Sequence, residues 1–169
     1  MINRRVENIG AVASLELPQG FVEGVQKDGS SGQMFRQYLL DEDHDIKLYF
    51  EYRGYRIKRK YGEKFVELLE HEPHKINHKV IYDYGPVIMD KSIPEDFEIN
   101  LAETQDINGK TVLVLDGIYP EFKIRARTFY IDTDGTGSAV QQVSFQTPLE
   151  KASRYFPDGI KALESINWK

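Results

Sequence analysis

The amino-acid sequence predicts an α+β fold, in which an antiparallel meander of β-strands packs against helices. Asn108-Gly109 and the Asp- and Gly-rich segment 132–137 are typical of hairpin turns, so they indicate consecutive antiparallel strands in the second half of the chain. Segments near 61–71 and 149–166 carry apolar residues at spacings of three and four, which indicates two amphipathic helices. The 169 residues contain no internal repeat or linker, so residues 1–169 are expected to form a single domain.

The first half of the chain is predicted to consist of strands separated by turns. Extended segments are expected at 12–17, 21–25, 33–40 and 46–53. Turns are expected at Pro18-Gln19-Gly20, at the Gly- and Ser-rich segment 28–32 and at the acidic run 41–45. In the last extended segment, Ile46, Leu48 and Phe50 fall on one face. This period of two is typical of a half-buried antiparallel strand.

The centre of the chain holds one predicted helix and one segment that the pattern leaves open. In the helix near 61–71, Phe65, Leu68 and Leu69 form the apolar stripe, and Pro73 closes it. The segment 76–89 could form a helix, but Gly85-Pro86 should break one and 87–89 would fit a strand. No structure is therefore predicted for residues 76–96.

The second half is predicted to form the meander and then a closing helix. Its strands are expected at 97–107, 110–118, 122–131 and 139–146. In the last helix, Pro157 suits the first turn, where its missing N–H is no loss. Trp168 is expected to close this helix onto the sheet beside a stripe formed by Ile160, Leu163 and Ile166.

Three sequence features resemble the PsbP-like superfamily: the hairpin Ile107-Asn108-Gly109-Lys110, the strand Val140 to Phe145 running into Pro148, and the ending Ser165-Ile166-x-Trp168. The likeness is strongest over residues 95–169. This group includes the extrinsic photosystem II subunit, a nuclear transport factor that binds the GTPase Ran, and the bacterial DcrB-like proteins. The resemblance implies a sandwich of helices against an antiparallel sheet, in a family whose members mostly bind other proteins.

Composition and charge exclude several classes of protein. The absence of cysteine excludes disulfide scaffolds, thiol nucleophiles, iron–sulfur clusters, thiolate zinc sites and a lipid-anchored cysteine. The N-terminal residues lack a signal-peptide pattern and no window is apolar enough to span a membrane, so a cytoplasmic location without membrane association is expected. A thylakoid role is therefore not expected. The net charge of -5 disfavours a general nucleic-acid binder.

Two motifs could hold a metal ion, and each has a simpler interpretation. His71, His74 and His78 are spaced like helical metal ligands, but Pro73 interrupts them, so a solvated helix end is expected. Asp132-x-Asp134-Gly135 resembles the start of a calcium loop, but its glycine comes too early for that motif, which favours a hairpin turn. No metal and no cofactor are predicted.

No motif for catalysis stands out. Ser30 and Ser31 lie in a glycine loop that matches neither a nucleophile elbow nor a Ser-x-x-Lys pair. The Gly-rich loops that cradle phosphates are absent from the sequence. Enzymatic activity is therefore not expected.

The most distinctive charged feature is the stretch Arg53–Lys60, hereafter the basic segment. It holds five cationic residues and no acid, and the candidate binding residues are Arg53, Tyr55, Arg56, Lys58, Arg59 and Lys60. Such a cluster can pair with an acidic protein surface or with phosphates. It can equally be a solvated loop whose cations offset Glu51, Glu63 and the acidic run 41–45.

These observations favour a non-enzymatic, cytoplasmic binding or accessory protein that recognises another protein through a face of its sheet or through the basic segment. Two alternatives remain open. One is a small enzyme whose active site is dispersed along the sequence. The other is a nucleic-acid-binding module that uses residues 53–60.

Overall fold

A computed structural model describes residues 4–88 and 97–169, whose strands form two sheets. In chain order the strands are β1 (Arg4–Ile9), β2 (Val12–Leu17), β3 (Phe21–Asp28), β4 (Met34–Leu40), β5 (Asp43–Tyr52), β6 (Glu98–Ile107), β7 (Lys110–Tyr119), β8 (Ile124–Asp132), β9 (Val140–Pro148) and β10 (Asn167–Trp168). The large sheet has the order β3-β4-β5-β9-β8-β7-β6, and the small sheet has the order β1-β2-β10. Neighbouring strands in both sheets are antiparallel, so the predicted α+β class and meander are confirmed.

The α-helices lie on opposite faces of the large sheet. They are α1 (Arg59–Glu70), α2 (His78–Ile81), α3 (Gly85–Ile88) and α4 (Ala152–Glu164). Val112 and Val114 of β7 belong to a core shared with α4 and the small sheet. Leu113 and Leu115 of the same strand belong to a second core, shared with α1, α2 and α3. Because side chains alternate along a strand, one strand contributes to both cores. No helix in the described residues is long and apolar enough to cross a membrane.

Most predicted elements are observed, with shifted boundaries. The acidic run 41–45 is only partly a turn, because β5 already begins at Asp43. The described part of the open segment 76–89 forms the short helices α2 and α3, whereas Met89 lies outside the described residues. Strand β1 was not predicted, because its buried residues Val6 and Ile9 are three apart and do not show strand alternation.

The C-terminal prediction needs correction. The helix begins at Ala152, after a 3₁₀ turn, so Pro157 lies inside α4 and not in its first turn. The carbonyl that would accept its missing N–H belongs to Ser153, which is exposed and can be hydrated, and this explains why the proline is tolerated. The helix ends at Glu164, and Trp168 lies on β10, which pairs with β2. Ile166, just beyond the helix, is fully buried.

The hairpin turn and the chain end form one junction. Asn108 has a φ of 51°, and its side-chain amide donates to the carbonyl oxygens of Glu164 at 3.0 Å and Ile166 at 2.8 Å. The indole Nε1 of Trp168 donates to the Ile107 carbonyl at 2.6 Å. Lys110 Nζ lies 5.7 Å from the centre of the Trp168 ring. Two of the motifs that carry the family resemblance therefore contact each other directly.

Candidate functional site

The basic segment connects β5 to α1 and is fixed to the body of the protein at its middle. Ile57 is 8% exposed, and its N–H donates to the Ser138 carbonyl at 2.8 Å. Ser138 lies between β8 and β9, and residues 132–138, which are the last residue of β8 and the residues that follow it, are hereafter called the β8–β9 loop. Tyr55, with 40% of its surface exposed, and the cations that follow it project into solvent from this anchored backbone. The segment is therefore held in place while its polar side chains stay accessible.

Two arginines of the basic segment pair with Glu51 and Glu63, as expected for a solvated loop. Arg53 Nε lies 3.0 Å from Glu51 Oε1, and its Nη1 donates to the Tyr55 hydroxyl at 3.2 Å. Arg59 Nε lies 2.6 Å from Glu63 Oε1, one helical turn further along α1. The acidic run 41–45 was expected to contribute as well, but its Asp43 pairs with Lys151. Part of the charge in the basic segment is thus offset locally.

Arg56 pairs with the β8–β9 loop. Its Nη1 donates to Asp134 Oδ2 at 3.0 Å and to the Ser138 hydroxyl at 2.9 Å. Burial tends to raise the pKa of Asp134, but hydrogen bonds from the Thr136 N–H and hydroxyl, from the Ser138 hydroxyl and from Arg56 outweigh it and lower the pKa to about 2. Asp134 is therefore ionised at neutral pH and holds Arg56, whose side chain remains 71% exposed.

Lys58 and Lys60 carry the positive charge of the basic segment that no ion pair within the described residues offsets. Among residues 4–88 and 97–169, neither lysine is part of an ion pair, and both are exposed. Lys60 Nζ lies 4.8 Å from the centre of the Tyr61 ring. The basic segment thus keeps a positive surface on a chain whose net charge is -5.

Arg56 also lines a cleft of about 490 Å³, hereafter the basic cleft, which lies between the small sheet and the large sheet. Its apolar and aromatic walls come from Ala11, Met34, Tyr52, Ala139 and Trp168, and its cations are Arg56, Lys110 and Lys169. Gln141, 1% exposed, accepts from the Ala11 N–H at 2.8 Å and donates to the Ile9 carbonyl at 3.1 Å. This side chain fastens the β1–β2 turn to β9, so the cleft has a rigid floor.

The structure joins only part of the predicted site to the basic cleft. Arg56 lines it, whereas Arg53, Tyr55 and Lys58–Lys60 are not among its lining residues. Lys110 and Trp168 were missed as functional residues, because the sequence marks them only as parts of the hairpin and of the chain end. Both residues belong to motifs that carry the family resemblance, Lys110 to the hairpin 107–110 and Trp168 to the ending 165–168, and this could have indicated them.

A larger groove of about 680 Å³ lies where β8 begins and β9 ends. Phe122, 64% exposed, and Leu149, 41% exposed, give it an apolar rim. Its charges are mixed, since three lysines (Lys47, Lys123 and Lys151) and two acids (Asp45 and Glu150) line it, and Lys151 is paired with Asp43. The groove therefore does not favour a partner of either charge. For this reason the basic cleft, although smaller, is the better candidate site.

The residues of the two possible metal-binding motifs lie at or between the ends of α1 and α2 and in the β8–β9 loop. His71 follows α1 and His78 begins α2, while the backbone of His74 bonds to Thr104 of β6. In the described part of the chain, no group of three His, Asp or Glu side chains is placed to hold a metal ion. Burial raises the pKa of Asp132, whose carboxylate accepts the Gly137 N–H at 3.0 Å inside the β8–β9 loop.

Comparisons with known proteins identify the fold. No family model matches the chain, and no curated protein sequence matches it. The structure is similar to the solution structure of cyanobacterial PsbP (CyanoP) from Synechocystis sp. PCC 6803, with a TM-score of 0.56 and 12% sequence identity, over 100% of this chain and 94% of that chain. At this identity the likeness concerns the fold alone. The chain therefore has a PsbP-like fold, as the resemblance of its hairpin, its last large-sheet strand and its ending indicated.

Proposed function

We propose that this chain is a non-enzymatic, cytoplasmic binding or accessory protein that recognises another protein through the basic cleft and the adjoining basic segment. The observation that carries the proposal is the composition of the cleft, where Met34, Tyr52 and Trp168 stand beside the exposed Arg56. Met, Tyr, Trp and Arg are the residue types enriched at the centres of protein interfaces.

Rigidity supports the same function. Gln141 fastens the β1–β2 turn to β9 beside the cleft, and the indole N–H of Trp168 is bonded to the Ile107 carbonyl. Side chains that are already ordered lose little entropy when a partner binds, so more of the contact energy appears as affinity. The arrangement suits recognition without rearrangement.

Acid–base catalysis fits this cleft less well than binding does. Asp134 is the carboxylate among the residues that line the cleft, and it is committed to Arg56. With its pKa lowered to about 2, mainly by hydrogen bonds that overcome the effect of burial, it is a weak base at neutral pH. This observation favours the binding protein over the enzyme alternative.

The test is a charge-reversed variant with a matched control. Arg53→Glu, Arg56→Glu, Lys58→Glu and Arg59→Glu are combined in the test variant. The control combines Arg5→Glu, Lys27→Glu, Lys79→Glu and Lys161→Glu, which reverse the same amount of charge at exposed sites elsewhere. After crosslinking in the native host, the partner should co-purify with the wild type and the control but not with the test variant. Three of the test changes also replace ion pairs with Glu51, Asp134 and Glu63 by like charges, so thermal unfolding must show that the test variant is folded before its binding is compared.

Two outcomes would count against this function. Equal recovery of the partner by the folded test variant would show that the basic segment is a solvated loop. A partner that proves to be a nucleic acid, with an affinity that falls steeply as salt is added, would favour the nucleic-acid alternative. A protein partner should show a gentler dependence on salt, mainly in the association rate. Fractionation of host cells tests the proposed cytoplasmic location.

A further inference from the structure

We propose that the basic cleft binds an extended, acidic segment of the partner protein and seats one aromatic side chain of that segment against Trp168. This inference rests on the proposed function and names the chemistry of the partner at the same site. It follows from three properties of the cleft: the fixed aromatic wall, the arrangement of its cations and its shape.

The aromatic wall is oriented before any partner arrives. Trp168 Nε1 donates to the Ile107 carbonyl at 2.6 Å, so the polar atom of the indole is already satisfied. What the ring offers to the cleft is therefore apolar surface, with Met34 and Tyr52 also among the lining residues. Aromatic side chains bury large apolar areas and pair favourably with one another in offset or edge-to-face arrangements. An aromatic side chain of the partner meets these requirements.

The cations select an acidic partner. Arg56, Lys110 and Lys169 line the cleft, and the exposed Lys58 and Lys60 lie further along the basic segment. The side-chain carboxylate that lines the cleft, Asp134, is already paired with Arg56. Among the lining side chains, a basic segment would therefore find no unpaired carboxylate, whereas an acidic segment would find several cations.

Arg56 retains the capacity to bind a carboxylate of the partner. Its hydrogen bonds within the described residues use Nη1 alone, and 71% of the side chain is exposed. A guanidinium presents five N–H donors in a planar fork. The Nη2 and Nε donors can therefore receive a second carboxylate while Nη1 stays bound to Asp134, so the partner gains an ion pair without breaking an existing one.

The shape of the cleft favours a single extended chain over a folded surface. A volume of about 490 Å³ admits one large side chain with its flanking backbone. The walls belong to different layers, since Trp168 lies on the small sheet and Tyr52 on the large one. A partner segment that enters the cleft would therefore lie between the two sheets.

The experiment uses Trp168 as its own reporter, because it is the single tryptophan of the chain. The wild-type protein is titrated with a short synthetic peptide of Asp and Glu that contains one central Phe. One control peptide has Ala in place of Phe, and another has Lys in place of every acid. The acidic Phe peptide should change the tryptophan emission saturably. The Ala peptide should bind at least about tenfold more weakly, and the basic peptide should not bind.

Variants test whether the cleft is responsible. Arg56→Glu and Lys110→Glu should each weaken binding of the acidic Phe peptide about tenfold or more, whereas Lys27→Glu, on the exposed part of β3, should leave it unchanged. Calorimetric titration gives a second measurement, because Lys110→Glu alters the surroundings of the Trp168 ring itself.

Several results would overturn the inference. They are the absence of saturable binding, equal affinity for the Ala or basic peptide, unchanged affinity in both cleft variants, and equally tight binding of a single-stranded oligonucleotide. The proposed function has a separate outcome. If the charge-reversed variant loses the host partner while the acidic Phe peptide fails to bind, the function stands and this partner chemistry is wrong. If that variant keeps the partner, the function itself fails.

Discussion

Asn108 joins the hairpin to the chain end. The contribution of its side-chain hydrogen bonds to stability can be measured separately from the effect of its backbone conformation. Asp tolerates the positive φ of 51° nearly as well as Asn, but it has no donors for the carbonyls of Glu164 and Ile166 and places a negative charge beside them. We expect Asn108→Asp to lower the free energy of unfolding by about 1–3 kcal/mol, measured by urea denaturation. Asn108→Gly removes the donors without adding charge and should cost less. Wild-type stability in Asn108→Asp would show that the two hydrogen bonds contribute nothing.

Asp134 gives a prediction for the dependence of stability on pH. Hydrogen bonds, acting against the effect of burial, lower its pKa from 3.8 to about 2 in the folded protein. Because the folded pKa is the lower one, its stabilising contribution is complete above about pH 4 and disappears as the pH falls through about 2. The stability difference between wild type and Asp134→Asn should shrink over this range. A difference that stays constant between pH 5 and pH 2 would contradict the prediction.

The comparison with Asp134→Asn is needed because Asp132, in the same loop, titrates in the opposite sense. Its pKa is raised, chiefly by burial, although the Gly137 N–H opposes the change. A raised folded pKa means that protonation of Asp132 favours the folded state as the pH falls. The wild-type pH profile alone therefore mixes two effects of opposite sign. Because Asp134 also raises the pKa of Asp132, the difference between the two profiles reports Asp134 together with its coupling to Asp132.

The β8–β9 loop and α1 meet through two glycines, Gly137 and Gly62. A Cβ on Gly137 would lie 2.2 Å from the Gly62 carbonyl oxygen, whereas a Cβ on Gly135 would have nothing within 4 Å. Both glycines have positive φ, 71° and 79°, so the two alanine variants share the conformational penalty. Gly135→Ala should cost about 1–2 kcal/mol. Gly137→Ala should cost at least about 2 kcal/mol more, because backbone must move. Equal denaturation midpoints for the two variants would refute the contact.

Sequence patterns predict the elements of this fold where the signal is local. The meander follows from alternating strands and from the Asn108-Gly109 turn, and α1 follows from an apolar stripe that ends before Pro73. Strand β10 has only two residues, and its pairing with β2 is a tertiary contact that no local pattern records. A tertiary contact also accounts for the position of Pro157 inside α4, because Phe156, the residue before it, packs 5.3 Å from Phe145 of β9.

For the candidate site, too, the sequence predicts the local part and not the part formed by tertiary contacts. The basic segment is visible in the sequence because its cations are contiguous. The basic cleft cannot be seen in the sequence, because its lining residues are brought together only by the fold. They come from the β1–β2 turn, β4, β5, β7, the β8–β9 loop, β9 and β10, among other segments. Pairing of Arg56 with Asp134 across 78 positions of sequence is another contact that composition cannot reveal. A contiguous run of charge can therefore be recognised in the sequence, whereas the residues that line the cleft can be identified only from the three-dimensional structure.

The two cores lie on opposite faces of one sheet, and this arrangement predicts that they unfold together. Strand β7 gives Val112 and Val114 to one core and Leu113 and Leu115 to the other, so neither core can lose the strand without disrupting both. Phe65 is 0% exposed in the core of α1, and Phe156 is 1% exposed in the core of α4. Replacing either by Ala should lower the free energy of unfolding by about 3–5 kcal/mol.

Both core variants should keep a single transition, in which far-ultraviolet circular dichroism and Trp168 fluorescence change at the same urea concentration. The two signals report on different parts of the protein. Circular dichroism reports all elements, whereas Trp168 reports its own surroundings, which include the core of α4. Phe122→Ala is the control, because a side chain that is 64% exposed should contribute less than about 0.5 kcal/mol. If Phe65→Ala separates the two signals, so that helix is lost before the fluorescence changes, the faces of the sheet are independent units. The large sheet would then not couple α1 to the wall of the basic cleft that carries Trp168.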